Sequence, residues 1–91
     1  LIIEKIMILK IFTQQDNEQT DEALELGKAL EQEGFEVEYL DLDQSDTHQL
    51  AEIFDVYLSP SFVITQNDGR EISSWKGSLP PLSEIKNYLS R

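Results

Sequence analysis

The chain offers few side chains that could carry out covalent or acid–base chemistry. It contains no cysteine, which excludes disulfides, thiolate metal sites and thiol catalysis. His48 is the only histidine, so no second histidine or cysteine can share a ligand with it. One histidine near Asp46 does not define a Ser-His-Asp arrangement. We therefore predict no catalytic residue, no metal site and no cofactor.

Acidic residues are the commonest charged residues of the chain. Asp41, Asp43 and Asp46 follow a predicted strand, but this run lacks the glycine and the terminal glutamate of a calcium loop. We interpret it as a solvated loop. The formal net charge is -11. Nucleic acids and anionic membranes both bind positive charge, so this balance argues against either as a partner and favours a basic protein surface.

The length of 91 residues indicates a single domain with a modest core. The apolar stretch from Leu1 to Ile11 contains three charged residues and is too short to span a bilayer. It also lacks the cleavage site of a signal peptide, so a cytoplasmic location is the default. Because Met7 could be a native start, we predict one domain over residues 6–91, with residues 1–5 a leader or non-native residues.

Hydrophobic patterns predict four strands. Ile6–Phe12 is a nearly continuous apolar run, typical of a strand buried on both faces. The second strand starts at Phe35, where apolar residues alternate with glutamates. Phe62–Thr65 and Glu71–Trp75 flank Asn67-Asp68-Gly69, a hairpin turn signal.

Three helices are predicted between and after these strands. The first has one apolar face, formed by Ala23, Leu26, Gly27 and Leu30. Asp16 with Gln19 fits a capping box, so Asn17 should be the first helical residue, and Gly34 should end the helix. The second helix should be capped in the same way by Asp46 and carries Leu50, Ala51, Ile53 and Phe54. The last helix follows two prolines and places on one face Leu82, Ile85 and Leu89.

The resulting order is β-α-β-α-β-β-α, which defines an α/β protein. The first two strands should pair in parallel through a right-handed crossover, and the last two should form an antiparallel hairpin. A mixed four-stranded sheet with helices on both faces follows.

Several short motifs lie along these elements in an order and at spacings that match a known protein family. Thr13 ends the first strand, and Asn17-Glu18-Gln19-Thr20 begins four residues later. Val56 lies four residues before Pro60 in Ser59-Pro60-Ser61, and Trp75-Lys76-Gly77 follows the hairpin. The chain from residue 6 onward resembles the thioredoxin-fold superfamily, in particular the glutaredoxin-like small redoxins.

The resemblance places Asn17 and Thr20 at the two active-site cysteine positions of the family. Both cysteines are absent, so the dithiol activity of the family is not carried over. The family's usual basic residue near this motif is Gln14 here, so glutathione binding is not carried over either. The resemblance also implies a cis peptide bond before Pro60 and a thioredoxin-like fold.

Two interpretations remain open at the surface that this resemblance defines. The acids Asp16, Glu18, Asp21 and Glu22 can stabilise the first helix through its dipole, or they can form a docking patch. Pro60 can be purely architectural, or it can expose the Ser59 backbone to an extended peptide. The candidate binding residues are accordingly Asn17, Thr20, Ser59, Pro60 and Ser61.

The function that this combination favours is a redox-inactive thioredoxin-fold module that binds a protein or peptide partner. Two alternatives stay open. One is an oxidoreductase relative with cysteine-independent activity, and the other is a structural or oligomer-forming subunit.

Overall fold

The computed structural model describes residues 6–91 and contains the predicted elements in the predicted order. Their bounds are β1 (Met7–Thr13), α1 (Thr20–Gln32), β2 (Glu36–Asp41), α2 (Ser45–Ile53), β3 (Ser61–Gln66), β4 (Glu71–Lys76) and α3 (Leu82–Leu89). The order β-α-β-α-β-β-α is confirmed. The expectation for residues 1–5 lies outside the described residues.

The four strands form one mixed sheet in the order β2-β1-β3-β4. β1 pairs in parallel with β2 and antiparallel with β3, and β3 pairs antiparallel with β4. The central position of β1 explains its apolar sequence, because Leu9 and Ile11 are buried on one face and Phe12 on the other. The buried Lys10 is paired with Glu38 on β2, at 2.5 Å between Nζ and Oε1.

β2 and β4 form the two edges of this sheet. Glu36 and Glu38 on β2 are exposed. The pairing of β4 with β3 shifts register between Ile64 and Thr65. The turn of this hairpin has Gly69 at φ +92°, a conformation that glycine adopts without steric cost. The predicted Asn-Asp-Gly turn is therefore confirmed.

Helices cover both faces of the sheet, as predicted. α1 and α3 pack on one face around a core of Leu9, Ile11, Ala23, Leu30, Phe62, Ile64 and Ile85. α2 packs on the other face around a second cluster of Phe12, Ala51, Phe54, Val56 and Val63. The apolar stripe predicted for α1 faces the first core: Ala23, Gly27 and Leu30 are buried, and Leu26 packs against them.

The first turn of α1 differs from its prediction. The helix begins at Thr20 rather than Asn17, and no side chain caps it. The reason is a local turn: Asn17 Oδ1 accepts the Gln19 N–H at 2.8 Å, and the Asn17 carbonyl accepts the Thr20 N–H at 3.2 Å. Asparagine side chains form such turns in competition with helix. The capping box assigned to Asp16 was therefore wrong.

The end of α1 agrees with its prediction. Gly34 follows the helix at φ +94°, and its N–H donates to the Glu31 carbonyl at 2.9 Å. The Phe35 N–H donates to the Leu30 carbonyl at 3.1 Å. These two bonds form a Schellman motif, in which glycine takes the left-handed position at low cost.

α2 begins two residues earlier than predicted, at Ser45, with Gln44 rather than Asp46 in the capping position. Asp46 lies within the first turn, so its predicted capping role was wrong. There its carboxylate interacts favourably with the positive end of the helix. Phe54 ends the helix, and Asp55 follows it in the left-handed conformation at φ +54°.

Gly27 lies inside α1 because the helix approaches the sheet closely at this point. A Cβ atom added there would lie 2.7 Å from Ile11 Cδ1 and 2.7 Å from Tyr39 Cε1. Glycine in a helix costs about 1 kcal/mol relative to alanine. Contact between the helix and these two side chains offsets that cost.

We expect Tyr39 to titrate above the usual range. Its hydroxyl donates to a Glu31 carboxylate oxygen, and burial, this bond and the Glu31 charge raise the pKa of Tyr39 to about 12. An unperturbed tyrosine has a pKa of about 10. The Tyr39 contribution to stability should therefore be complete below about pH 10 and disappear as the pH rises towards 12. Because Tyr39 is 40% exposed, the change in free energy of unfolding should be small.

The measurement is the absorbance of tyrosinate against pH, recorded for the native chain and for Tyr39→Phe. The difference between the two absorbance curves isolates Tyr39 and should be centred near its raised pKa of about 12. A difference curve centred at the value of a free tyrosine would contradict the Glu31 contact.

Candidate functional site

Two loops meet where β1 ends and β3 begins. The antiparallel register pairs Phe12 with Ser61, so the loop after β1 lies beside the loop that precedes β3. Asn17 Nδ2 donates to the Ser59 carbonyl at 2.9 Å, although the two residues are 42 positions apart. The Gln14 N–H donates to Ser59 Oγ at 3.0 Å. Side-chain and backbone hydrogen bonds therefore join the two loops directly.

Thr20 belongs to the same network. Its hydroxyl donates to the Gln14 carbonyl, while the N–H of Gln14 contacts Ser59. The structure thus brings together Asn17, Thr20 and Ser59, three of the five residues that the sequence singled out. Asn17 contributes an amide and Thr20 a hydroxyl to this network, and both hold the loop in place by hydrogen bonds.

Pro60 and Ser61 lie beneath this surface. Both side chains are fully buried, and the Ser59-Pro60 peptide bond is cis. Ser61 Oγ donates to the Leu58 carbonyl at 2.7 Å, and the Gly77 N–H donates to the Pro60 carbonyl at 2.9 Å. Pro60 and Ser61 therefore support the loop from its buried side. Of Ser59, Pro60 and Ser61, only Ser59 is partly exposed.

Three large apolar side chains are exposed in the segment that leads from the end of α2 to Ser59. Ile53 is 71% exposed, Tyr57 75% and Leu58 60%. We call these three residues the apolar rim. In the described part of the chain, only Ile6 and Tyr39 are also large, apolar and exposed, and they lie elsewhere. The hydrophobic patterns of the sequence did not identify the apolar rim. The signal that was available is the adjacent pair Tyr57-Leu58, which directly precedes Ser59-Pro60.

The surface around the site is acidic. Asp21 and Glu22 lie in the first turn of α1, where carboxylates stabilise the positive end of a helix. Asp16 and Glu18 precede the helix and are exposed. Within residues 6–91, no group of three histidine or acidic side chains is placed to hold a metal ion. The hydrogen-bonding groups of the site are amides, hydroxyls and carbonyls, which can bind a polypeptide backbone.

His48 lies on α2, near the site but outside the hydrogen-bond network of Asn17 and Ser59. Its Nε2 is 2.8 Å from the Leu42 carbonyl oxygen. A carbonyl can only accept, so Nε2–H is the donor and the proton is on this nitrogen. The contact fixes the ring against the end of β2.

None of the helices in residues 6–91 combines the length and the apolar character needed to cross a membrane.

Comparison with known proteins identifies the fold. No family model matches the chain, and no curated protein matches it. Solved structures do match. Thioredoxin from Fasciola hepatica is 22% identical, with a TM-score of 0.75, over 93% of this chain and 79% of that protein. A thioredoxin-like protein from Clostridium perfringens is 19% identical, with a TM-score of 0.80, over 97% and 71%.

A thioredoxin variant from Halobacterium salinarum is 20% identical, with a TM-score of 0.78, over 92% of this chain and 72% of that one. Similarity at these identities establishes architecture and does not transfer activity. The sheet order and the positions of the helices agree with the fold of these structures. The chain is therefore a thioredoxin-fold protein without the cysteines of a redox site.

Proposed function

We propose that this protein is a redox-inactive module that binds an extended segment of a protein partner. The binding surface is the one where the loops of Asn17 and Ser59 meet. The observation that carries the proposal is the apolar rim. Ile53, Tyr57 and Leu58 expose most of their side chains, and Tyr57 and Leu58 directly precede Ser59, which accepts the hydrogen bond from Asn17. Exposed apolar groups that cluster in this way mark interaction sites more often than scattered ones do.

The binding mode follows from the groups at this surface. An extended peptide can pair its backbone with Ser59, in the manner of strand addition to a sheet. The Ser59 carbonyl already accepts a hydrogen bond from Asn17, but a carbonyl oxygen has two lone pairs and can accept a second donor. Alternate side chains of the peptide would then pack against Tyr57 and Leu58.

The proposed partner is a protein or peptide rather than a nucleic acid or a membrane. The net charge of -11 supports this choice, because both of those partners select positive surfaces. We propose the cytoplasm as the place of action.

The test is selection of peptides from a random library displayed on phage, using the native chain as bait. We expect peptides whose affinity falls roughly 30-fold with Tyr57→Ala, since a buried aromatic anchor contributes about 2 kcal/mol or more. Ile6→Ala is the matched control, because it also truncates an exposed apolar residue but lies at the far end of β1. Selected peptides that bind both variants equally, or no selection at all, would overturn the proposal.

Two further measurements address the alternatives. Turnover of a disulfide substrate above that of a boiled control would favour the oxidoreductase relative. Sedimentation at increasing concentration would detect self-association, and if Tyr57→Ala abolished that association, the apolar rim would be an interface between copies of the chain.

A further inference from the structure

A cavity opens beside the apolar rim, between α2 and the loop that precedes β3. Its volume is about 250 Å³. Its apolar wall consists of Leu42, Ala51 and Val56, and Tyr57 extends the wall to the surface. Cavities that enclose whole small-molecule ligands are larger, at about 300–1,000 Å³. This cavity therefore suits a single side chain of a larger partner.

The polar part of the cavity selects the charge of that side chain. Gln14, His48 and Glu52 supply its polar groups, and Glu52 is the only carboxylate among them. The carbonyl groups at the end of α2 add the partial negative charge of a helix C-terminus. The chain contains no lysine or arginine between Lys28 and Arg70, the stretch that supplies every lining residue except Gln14.

Asp55 adds a further acid to the segment that follows α2. It occupies the left-handed position after α2 at φ +54°, where glycine is the common residue. The Val56 N–H donates to the Ala51 carbonyl at 2.8 Å, which fixes this conformation. Aspartate tolerates this conformation better than most residues do, but its carboxylate is unfavourable beside the negative end of a helix. Glu52 and Asp55 are thus two acids in the segment from Ala51 to Tyr57, which supplies most of the cavity lining.

We propose that this cavity receives a lysine or arginine side chain of the peptide that binds at the apolar rim. The inference rests on the proposed function and names the chemistry of its partner. The methylene groups of the side chain pack on Leu42, Ala51 and Val56. Its cation pairs with the Glu52 carboxylate and lies against the Tyr57 ring.

The test uses the same displayed random peptides, selected at about 0.15 M ionic strength to screen long-range attraction. We expect lysine or arginine at one fixed position relative to an apolar residue. In a synthetic copy of a selected peptide, norleucine at that position should weaken binding roughly 10-fold. Glu52→Gln should weaken binding of the cationic peptide by a similar factor and leave the norleucine peptide nearly unchanged, which is the signature of a direct pair.

Glu84→Gln is the matched control, since it removes the same charge from the first turn of α3, on the opposite face of the sheet. Equal effects of Glu52→Gln and Glu84→Gln would show that the acidic chain attracts the cation through its overall charge. That result would overturn the proposed pair with Glu52. Peptides that depend on Tyr57 but contain no fixed cation would overturn this inference and leave the proposed function standing. Failure to select any peptide would overturn both.

Discussion

Leu30→Ala should lower the free energy of unfolding by about 2–5 kcal/mol. Leu30 is fully buried on α1, within the core that α1 and α3 share with the sheet. Truncation removes three carbon atoms and leaves a cavity that the packed strands cannot close. A domain of this size has a total stability of about 5–15 kcal/mol, so the variant should lose a large part of it. Urea unfolding followed by tryptophan fluorescence measures the change.

Leu58→Ala is the control for this prediction. It makes the same chemical change at a leucine that is 60% exposed, and should change the free energy of unfolding by no more than about 0.5 kcal/mol. Equal costs for the two variants would mean that the face of α1 is assigned wrongly or that Leu58 is not exposed in solution.

Phe54→Ala should cost about 3–5 kcal/mol, because this side chain joins α2 to the second face of the sheet. α2 has 9 residues, and isolated helices of that length are not stable in water. Its stability therefore depends on packing, to which Ala51 and Phe54 are the buried apolar contributors from the helix and its end. We expect faster amide hydrogen exchange along α2, measured by nuclear magnetic resonance, together with weaker peptide binding.

Ile53→Ala tests the same helix end from its exposed side. Ile53 is 71% exposed, so its truncation should leave both the stability and the exchange rates of α2 nearly unchanged. Any effect of this variant should appear in peptide binding. If Ile53→Ala destabilised the chain as much as Phe54→Ala, the orientation of α2 would be wrong.

The sequence was informative wherever one local pattern determines the structure. β1 is a continuous apolar run, and it is the buried central strand. The spacing of Ala23 and Leu30 placed the buried face of α1 correctly, and the glycines at 34 and 69 marked a helix end and a turn. The first residues of α1 and α2 were less predictable. Asn17 forms a turn that competes with helix, and residue type alone does not say which of the two prevails.

The candidate site was only partly predictable for a related reason. Resemblance in motif spacing selected Asn17 and Ser59, and the hydrogen bond between them depends on how two distant loops meet. Neither its existence nor the burial of Ser61 follows from the local sequence. The apolar rim was missed because residues such as Leu58 are usually buried, and their exposure is visible only once the fold is known.

The charged edge of the sheet has a consequence for behaviour at high concentration. Among residues 6–91, no strand pairs with the outer side of β2, and such edges can recruit strands from other molecules into fibrous aggregates. Glu36 and Glu38 are exposed along this edge. Two copies that approached through β2 would bring these glutamates close together and repel each other. The exposed glutamates of β2 should therefore disfavour the growth of fibres through this edge of the sheet.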